Sequence, residues 1–221
     1  MTIDFEQIRK DSKIEKIQNG ITRFVSWYDN CCSYWIEGSS RNVLIDASYP
    51  LTIDDRIDIL VLTHPHCDHI TFAKELVEIH GCEVYASRGT VKWLEDYGNE
   101  IIPDYRTDVK EILAKYKNPP VVYPVEITKI IKEGDVINTG SSTLRILETP
   151  GHSIGDTCIL DEERKILFTG DILFEDGRNG GWKIGSHILR GSNKELLAES
   201  VKRLKSLKVQ MICPGHIHYS A

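Results

Sequence analysis

The chain has 221 residues, 41% hydrophobic and 27% charged, with a formal net charge of −6. That length suits one domain with a large buried core, and the acidic balance leaves no overall basic excess to neutralise nucleic-acid phosphates. No uncharged apolar run is long enough to span a bilayer, and the opening MTIDFEQIRKDSK lacks the apolar core of a signal peptide. A cytoplasmic protein without membrane contact is therefore expected. The six cysteines, Cys31, Cys32, Cys67, Cys82, Cys158 and Cys213, form no C-x-x-C pair. They read as free thiols and small core residues of a reducing compartment. A strand through Cys31 and Cys32 would turn them to opposite faces.

The first part of the chain reads as short β-favouring runs, Ile21–Trp27, Ser33–Ile36 and Asn42–Asp46, separated by turn residues. The mostly apolar run Ile57–Thr63 looks like a strand buried on both faces, stopped by Pro65. Thr71–His80 follows as a helix, with Phe72, Leu76 and Ile79 at helical spacing and Gly81 to end it. Cys82–Ala86 is another short strand. Residues 88–120 are richer in charge and aromatics and read as a helical insertion, with helices at Thr90–Tyr97 and Thr107–Tyr116. Its Trp93, Tyr97, Tyr105 and Tyr116 suit either a pocket wall or core packing.

Beyond it, Ile127–Ile131, Asp135–Asn138, Thr143–Glu148, Thr157–Leu160 and Lys165–Thr169 are strand candidates. The predicted helix Lys194–Leu207 carries Leu196, Leu197, Val201 and Leu204 on one face, and Val209–Cys213 is a last strand. Two halves of strands followed by a helix suggest two packed sheets with helices outside, in one domain spanning 1–221.

The chemical signal is His64-x-His66-x-Asp68-His69, four metal-ligand types within six residues just past a buried strand. In an extended segment His64 and His66 can face the same way, while the next turn can send Asp68 and His69 to a second metal. Three more candidates, His152, Asp171 and His216, each follow a predicted strand end. Five of the eight histidines thus fall in three short segments. Convergence of several strand ends on one sheet edge is a common way to build a site. Imidazole with carboxylate suits zinc, with iron and manganese as alternatives.

The ordered set H-x-H-x-D-H, T-P-G-H-S, F-T-G-D and P-G-H resembles the metallo-β-lactamase-fold superfamily. Asp171 in Leu167–Phe174 is most similar to the glyoxalase II-like branch. The resemblance implies an α+β fold, a four-layer αββα sandwich of two mixed sheets with helices outside. It implies two divalent metal ions, the first held by His64, His66 and His152, the second by Asp68, His69 and His216, with Asp171 bridging. A hydroxide shared by ions roughly 3.5–4 Å apart would attack an ester, thioester or lactone of a small-molecule substrate, and Asp68 would carry a proton to the leaving group. Iron-dependent redox chemistry of the same fold and phosphodiester hydrolysis are the alternatives. Ile70-Thr71 departs from the glycine pair that often follows the first motif in that branch. The helical glutathione-binding domain of true glyoxalase II has no counterpart before Ala221, which points away from glutathione thioesters.

Asp46, at the end of an apolar run, is a candidate to orient a ligand, with Thr63 and Ser153 behind it. Arg178, His187 and Tyr219 are candidate substrate contacts. Arg178, Trp182 and Lys183 lie in a predicted Gly-rich loop after Asp171. Cys67 matches no ligand position. A homo-oligomer is compatible with the sequence.

Overall fold

The computed structural model describes residues 13–26, 30–48, 56–97, 125–176, 181–187 and 191–217. Fourteen strands and four helices appear among them. The strands are β1 (Lys13–Gln18), β2 (Ile21–Val25), β3 (Cys32–Ile36), β4 (Val43–Ile45), β5 (Ile59–Leu62), β6 (Glu83–Ser87), β7 (Lys129–Ile131), β8 (Val136–Asn138), β9 (Thr143–Glu148), β10 (Thr157–Asp161), β11 (Ile166–Gly170), β12 (Leu173–Asp176), β13 (Gly181–Ile184) and β14 (Met211–Pro214). The helices are α1 (Cys67–Ile70), α2 (Ala73–His80), α3 (Arg88–Tyr97) and α4 (Lys194–Lys205).

Strands β1 to β7 form one sheet in chain order, antiparallel through β4 and parallel from β4 to β7. The second sheet runs β14-β11-β10-β9-β8, with only the β11–β14 pair parallel. The two mixed sheets and outer helices make the expected α+β sandwich. Its central layer takes side chains from both sheets, including Tyr34, Ile45 and Val61 from the first and Ile146, Ile159 and Phe168 from the second. The other face of the first sheet buries Leu44, Leu60 and Leu62 under Ala73 and Leu76 of α2. The other face of the second buries Leu147 and Leu167 under Leu197, Val201 and Leu204 of α4.

The alternation within β5 explains its continuous apolar run. Ile59 and Val61 enter the central layer while Leu60 and Leu62 meet α2, and all four are fully buried. Burial of each such side chain stabilises the fold by about 1.5–3 kcal/mol. Asn193 caps α4 by accepting from the Leu196 backbone N–H. Gly81, with φ of 62°, ends α2 in the left-handed region as its sequence position indicated.

Several expectations need correction. The helix predicted over Thr71–His80 is α2, which starts two residues later at Ala73, and the short α1 forms within the stretch before it that reads as a loop. Ile79 is 63% exposed and Leu196 is 42% exposed, so neither belongs to its helix's buried face. Ser200 takes the place beside Leu197 and Val201 instead, donating to the Pro150 carbonyl. The predicted loop after Asp171 is a hairpin of β12 and β13, with residues 177–180 outside the described set. β1 was not foreseen. It is a charged edge strand, held in register by β2. The predicted helix at 107–116, with Tyr105 and Tyr116, lies outside the described residues. Among the described residues no helix is long and apolar enough to cross a membrane.

Candidate metal centre

Four strand ends deliver the predicted donors to one edge of the sandwich. His64 and His66 follow β5, and Asp68 and His69 lie on α1. His152 follows β9, Asp171 follows β11, and His216 follows β14. His66 keeps an extended backbone (φ −68°, ψ 144°) immediately before α1 turns the chain. That turn directs the donors into overlapping groups, one of which joins His64, His69 and Asp171. One atom each of His64, His66 and His152 lie within 4.8 Å of one another, and so do atoms of Asp68, His69, His216 and Cys31.

Asp171 stands between the two groups. Its Oδ1 is 3.3 Å from His69 Nε2. Its Oδ2 is 3.4 Å from His216 Nε2 and 3.5 Å from His152 Nε2. The approach is close enough that a Cβ at residue 215 would stand 2.2 Å from Asp171 Oδ1, which accounts for Gly215. The Gly215 N–H donates to the Gly170 carbonyl and fixes that spacing.

The ring nitrogens facing away from the cluster are held. His69 Nδ1 lies 2.8 Å from Asp46 Oδ2. Thr63 Oγ1 donates to the same oxygen, and its backbone N–H donates to Asp46 Oδ1, both at 2.8 Å. With its proton so used, Thr63 Oγ1 is an acceptor for His64 Nδ1 at 3.0 Å. One buried carboxylate thereby orients two rings. Asp46 adopts φ of 60° to do so, a conformation that aspartate tolerates better than most residues. His152 Nδ1 donates to the Ser186 carbonyl at 3.0 Å. In each case the remaining nitrogen faces the cluster, where it offers a lone pair to a metal once it carries no proton.

Burial and the like-charged neighbour His152 hold His66 down to about 3, and burial with His69 and His66 holds His64 well below the ordinary imidazole value. His69 and His216 go the other way. Burial opposes their charge, but Cys31 and the carboxylates, Asp171 foremost among them, outweigh it and hold both well above 6.5. Asp68 and Asp171 lie well below the usual carboxylate range, because the His69 and His216 charges overcome burial.

These residues fit a divalent metal. His64 Nε2 and Asp171 Oδ1 are buried without a hydrogen-bond partner, an arrangement that costs free energy unless something else satisfies them. Two nitrogens on one tetrahedral zinc lie about 3.3 Å apart. His69 Nε2 and His216 Nε2 are separated by 3.4 Å.

Two supporting residues escaped the sequence reading. Asp156 accepts from the backbone N–H groups of Gly151 and Ser153 and from Ser153 Oγ, folding the loop that carries His152. Burial pushes its carboxyl up to about 6. Its signal was the short spacing Gly-His-Ser-x-Gly-Asp at residues 151–156. Cys31 is the other. It was read as a small core residue, yet it is fully buried with Sγ 3.4 Å from His69 Nε2. Cys32 points into the central layer, so the two neighbours do face opposite ways.

Among the remaining candidates, Ser153 supports the His152 loop and makes no contact with a donor ring among its hydrogen bonds. His187 is exposed, one residue after Ser186. Arg178 and Tyr219 lie outside the described residues, as does the side chain of Tyr97. Trp93 is buried, its ring centroid 6.4 Å from that of His66. Cys67 is not among the clustered donors.

The model of the metallo-beta-lactamase superfamily matches residues 28–216. The chain belongs to that superfamily. It is 34% identical over 171 residues to the human acyl-coenzyme A thioesterase MBLAC2, covering 72% of this chain. It spans only 56% of that relative's length. It is 27% identical to the hydroxyacylglutathione hydrolase GloC of Haemophilus influenzae, over 88% of both chains. Among solved structures, the superfamily protein ST1585 of Sulfolobus tokodaii superposes with a TM-score of 0.67 at 26% identity, covering 85% of this chain and 74% of that one. TTHA1623 in a di-iron-bound form gives 0.66 at 25% identity, covering 86% and 89%. The chain thus carries the clustered donors of a metal site on this superfamily's fold, and hydrolases are among its relatives. Its histidine and aspartate cluster implies divalent metals.

Proposed function

We propose that this chain hydrolyses a thioester at a centre of two divalent ions, zinc in the first instance. The observation that carries the reading is Asp171, which meets His152 of one donor group and His69 and His216 of the other within 3.3–3.5 Å. In this assignment His64, His66 and His152 hold the first ion, Asp68, His69 and His216 the second, and Asp171 both. Such a pair supplies a water of lowered pKa as nucleophile and polarises an acyl carbonyl.

The chain's own residues do the rest. Thr63 and Asp46 fix the His64 and His69 rings, and Ser186 fixes His152. Asp68, whose Oδ2 lies 3.2 Å from His216 Nε2, would accept the proton released by the attacking water and deliver it to the leaving thiolate. Burial of most donors keeps bulk water from competing for them. In the same reading residues 1–221 form one domain in the cytoplasm, and the six cysteines, none in a disulfide, suit that compartment. The insertion at about 88–120 begins with α3, which brings Trp93 beside His66. Arg178, His187 and Tyr219 are assigned to substrate contact.

Thioesters come ahead of esters and lactones because two relatives carry thioester hydrolysis in their names. The GloC match extends over 88% of that protein, so glutathione thioesters belong in the substrate set beside acyl-coenzyme A. The test is metal content of the purified chain followed by a panel of acyl-coenzyme A, hydroxyacylglutathione, ester and lactone substrates. About two ions per chain with thioester turnover abolished by a chelator supports the reading. One ion per chain at full activity overturns the paired centre, and turnover confined to lactones overturns the substrate class.

A further inference from the structure

The seven donors of the superfamily pattern do not include one further side chain that lies within 3.4 Å of His69 Nε2. Cys31 Sγ is 3.4 Å from that nitrogen and, with Asp68 and His216, forms a group of four donors within 4.8 Å. The thiol is fully buried. Its backbone is fixed from both sides: the Ser26 N–H donates to the Cys31 carbonyl, and the Cys32 N–H donates to the Gly215 carbonyl. Cys31 also pairs with His216 in an isolated antiparallel bridge. The segment before β3 and the segment after β14 are therefore one rigid unit, and the sulfur and the His216 ring leave it toward the same point. A second observation marks that point. Asp171 Oδ1, buried and without a hydrogen-bond partner, lies 3.3 Å from the same His69 Nε2.

We propose that Cys31 is a sulfur ligand of the second metal ion, so that this position is built from Asp68, His69, His216 and Cys31 as well as Asp171. The inference rests on the paired-metal reading above. The distances suit it, since a nitrogen and a thiolate sulfur on one tetrahedral zinc lie about 3.6 Å apart. As the metal–sulfur bond forms, the thiol releases its proton to solvent, and no oxidant or reductant takes part. The chemical consequence is selectivity. A thiolate beside two imidazoles favours zinc over the harder manganese and magnesium more strongly than the all-imidazole group of His64, His66 and His152 does. It also fills a coordination position that a water would otherwise take, leaving the first ion the more open of the two.

X-ray absorption at the zinc edge of the full chain, loaded with two equivalents and checked for metal content, tests this without reference to activity. The wild-type protein should show a sulfur shell at about 2.3 Å with about 0.5 sulfur per zinc. Cys31→Ser should remove it and Cys67→Ser should leave it intact. A protein holding two zinc ions and no sulfur shell overturns the proposal while leaving the paired centre standing. A shell that survives Cys31→Ser, or that is lost in Cys67→Ser, also overturns it. Failure to hold a second ion overturns both readings. Should Cys31→Ser fail to fold, the wild-type and Cys67→Ser spectra decide: a shell retained in both supports Cys31, and its absence from either counts against it.

Discussion

Asp46 Oδ2 sits 2.8 Å from His69 Nδ1, and the same carboxylate takes both the backbone N–H and the hydroxyl of Thr63. A residue at the end of a three-residue strand thus sets the tautomer of a ring on α1 and, through Thr63, of a ring at the end of β5. Asp46→Asn keeps the left-handed backbone and most of the hydrogen bonding but weakens the acceptor for His69. Metal affinity at the His69 position should fall about 10–100-fold with little change in melting temperature, read by chelator competition. Asp46→Ala should add a stability loss of about 1–3 kcal/mol, because the Thr63 N–H is then buried unsatisfied. Equal metal affinity in both variants and wild type would refute the orienting role.

Asp68 is asked to do two things, to hold a metal and to move a proton. Asp68→Asn keeps the size and one oxygen donor but removes the proton acceptor. Turnover should fall by about 10²–10⁴-fold, measured at matched metal content. Unchanged turnover would reject the proton role.

The loop that carries His152 depends on Gly151, whose φ is 145° and whose Cβ, were there one, would stand 2.3 Å from the Leu197 backbone. Gly151→Ala must either push α4 away or distort the loop. We expect a destabilisation of about 1–3 kcal/mol by denaturant unfolding, together with weaker metal binding at the His152 position. A neutral substitution would mean that α4 is not seated against the loop as described.

Above neutrality the metal-free protein should lose stability and the metal-loaded protein should not. In the metal-free fold His69 and His216 are raised above 6.5, so the folded state holds more protons than the unfolded one. Their stabilisation is complete below 6.5 and is lost as pH rises toward the folded values. His64 and His66 are lowered, so their contribution is lost as pH falls below 6.5. Asp156, raised to about 6, opposes this acid limb with one group against two. Metal-free stability should therefore peak near pH 6.5. With metal bound all the ligating rings are neutral, and the loss above that pH should disappear. Unfolding midpoints from pH 6 to 8.5, with and without metal, check this; parallel curves would contradict it.

Metal loading near pH 7 should for the same reason expel protons from His69 and His216. Calorimetric titration in two buffers of different ionisation enthalpy measures the number released. Zero release would show that these two rings are neutral before metal arrives.

Most of what could be read along the chain came from local periodicity. The buried β5 run, the exact span of β9, the glycine stop after α2 and the donor-bearing strand ends were all legible, since each depends on neighbours in sequence. The misreadings also have local causes. Ile79 and Leu196 fit a helical apolar stripe, but which arc of the helix meets the sheet is decided by the partner, and both fall outside it. β1 carries charges along its length and becomes a strand only because β2 offers it an edge. The β12–β13 hairpin has glycines where a loop would, and it forms because Leu173 and Phe174 are buried, Leu173 in the layer under α4.

The sequence by itself carried the family, the fold class and seven candidate donors, because a metal centre demands particular side chains and this chain holds those seven in order. Only the tertiary structure decided how they are grouped. Asp171 faces both halves of the cluster because β11 lies between β10 and β14 in the second sheet. Cys31 enters the site because the segment before β3 bridges to the one after β14, a pairing of residues 185 positions apart in the chain (216 − 31). No local pattern encodes such a contact, since the sheets that create it are held by core packing rather than by neighbours along the chain.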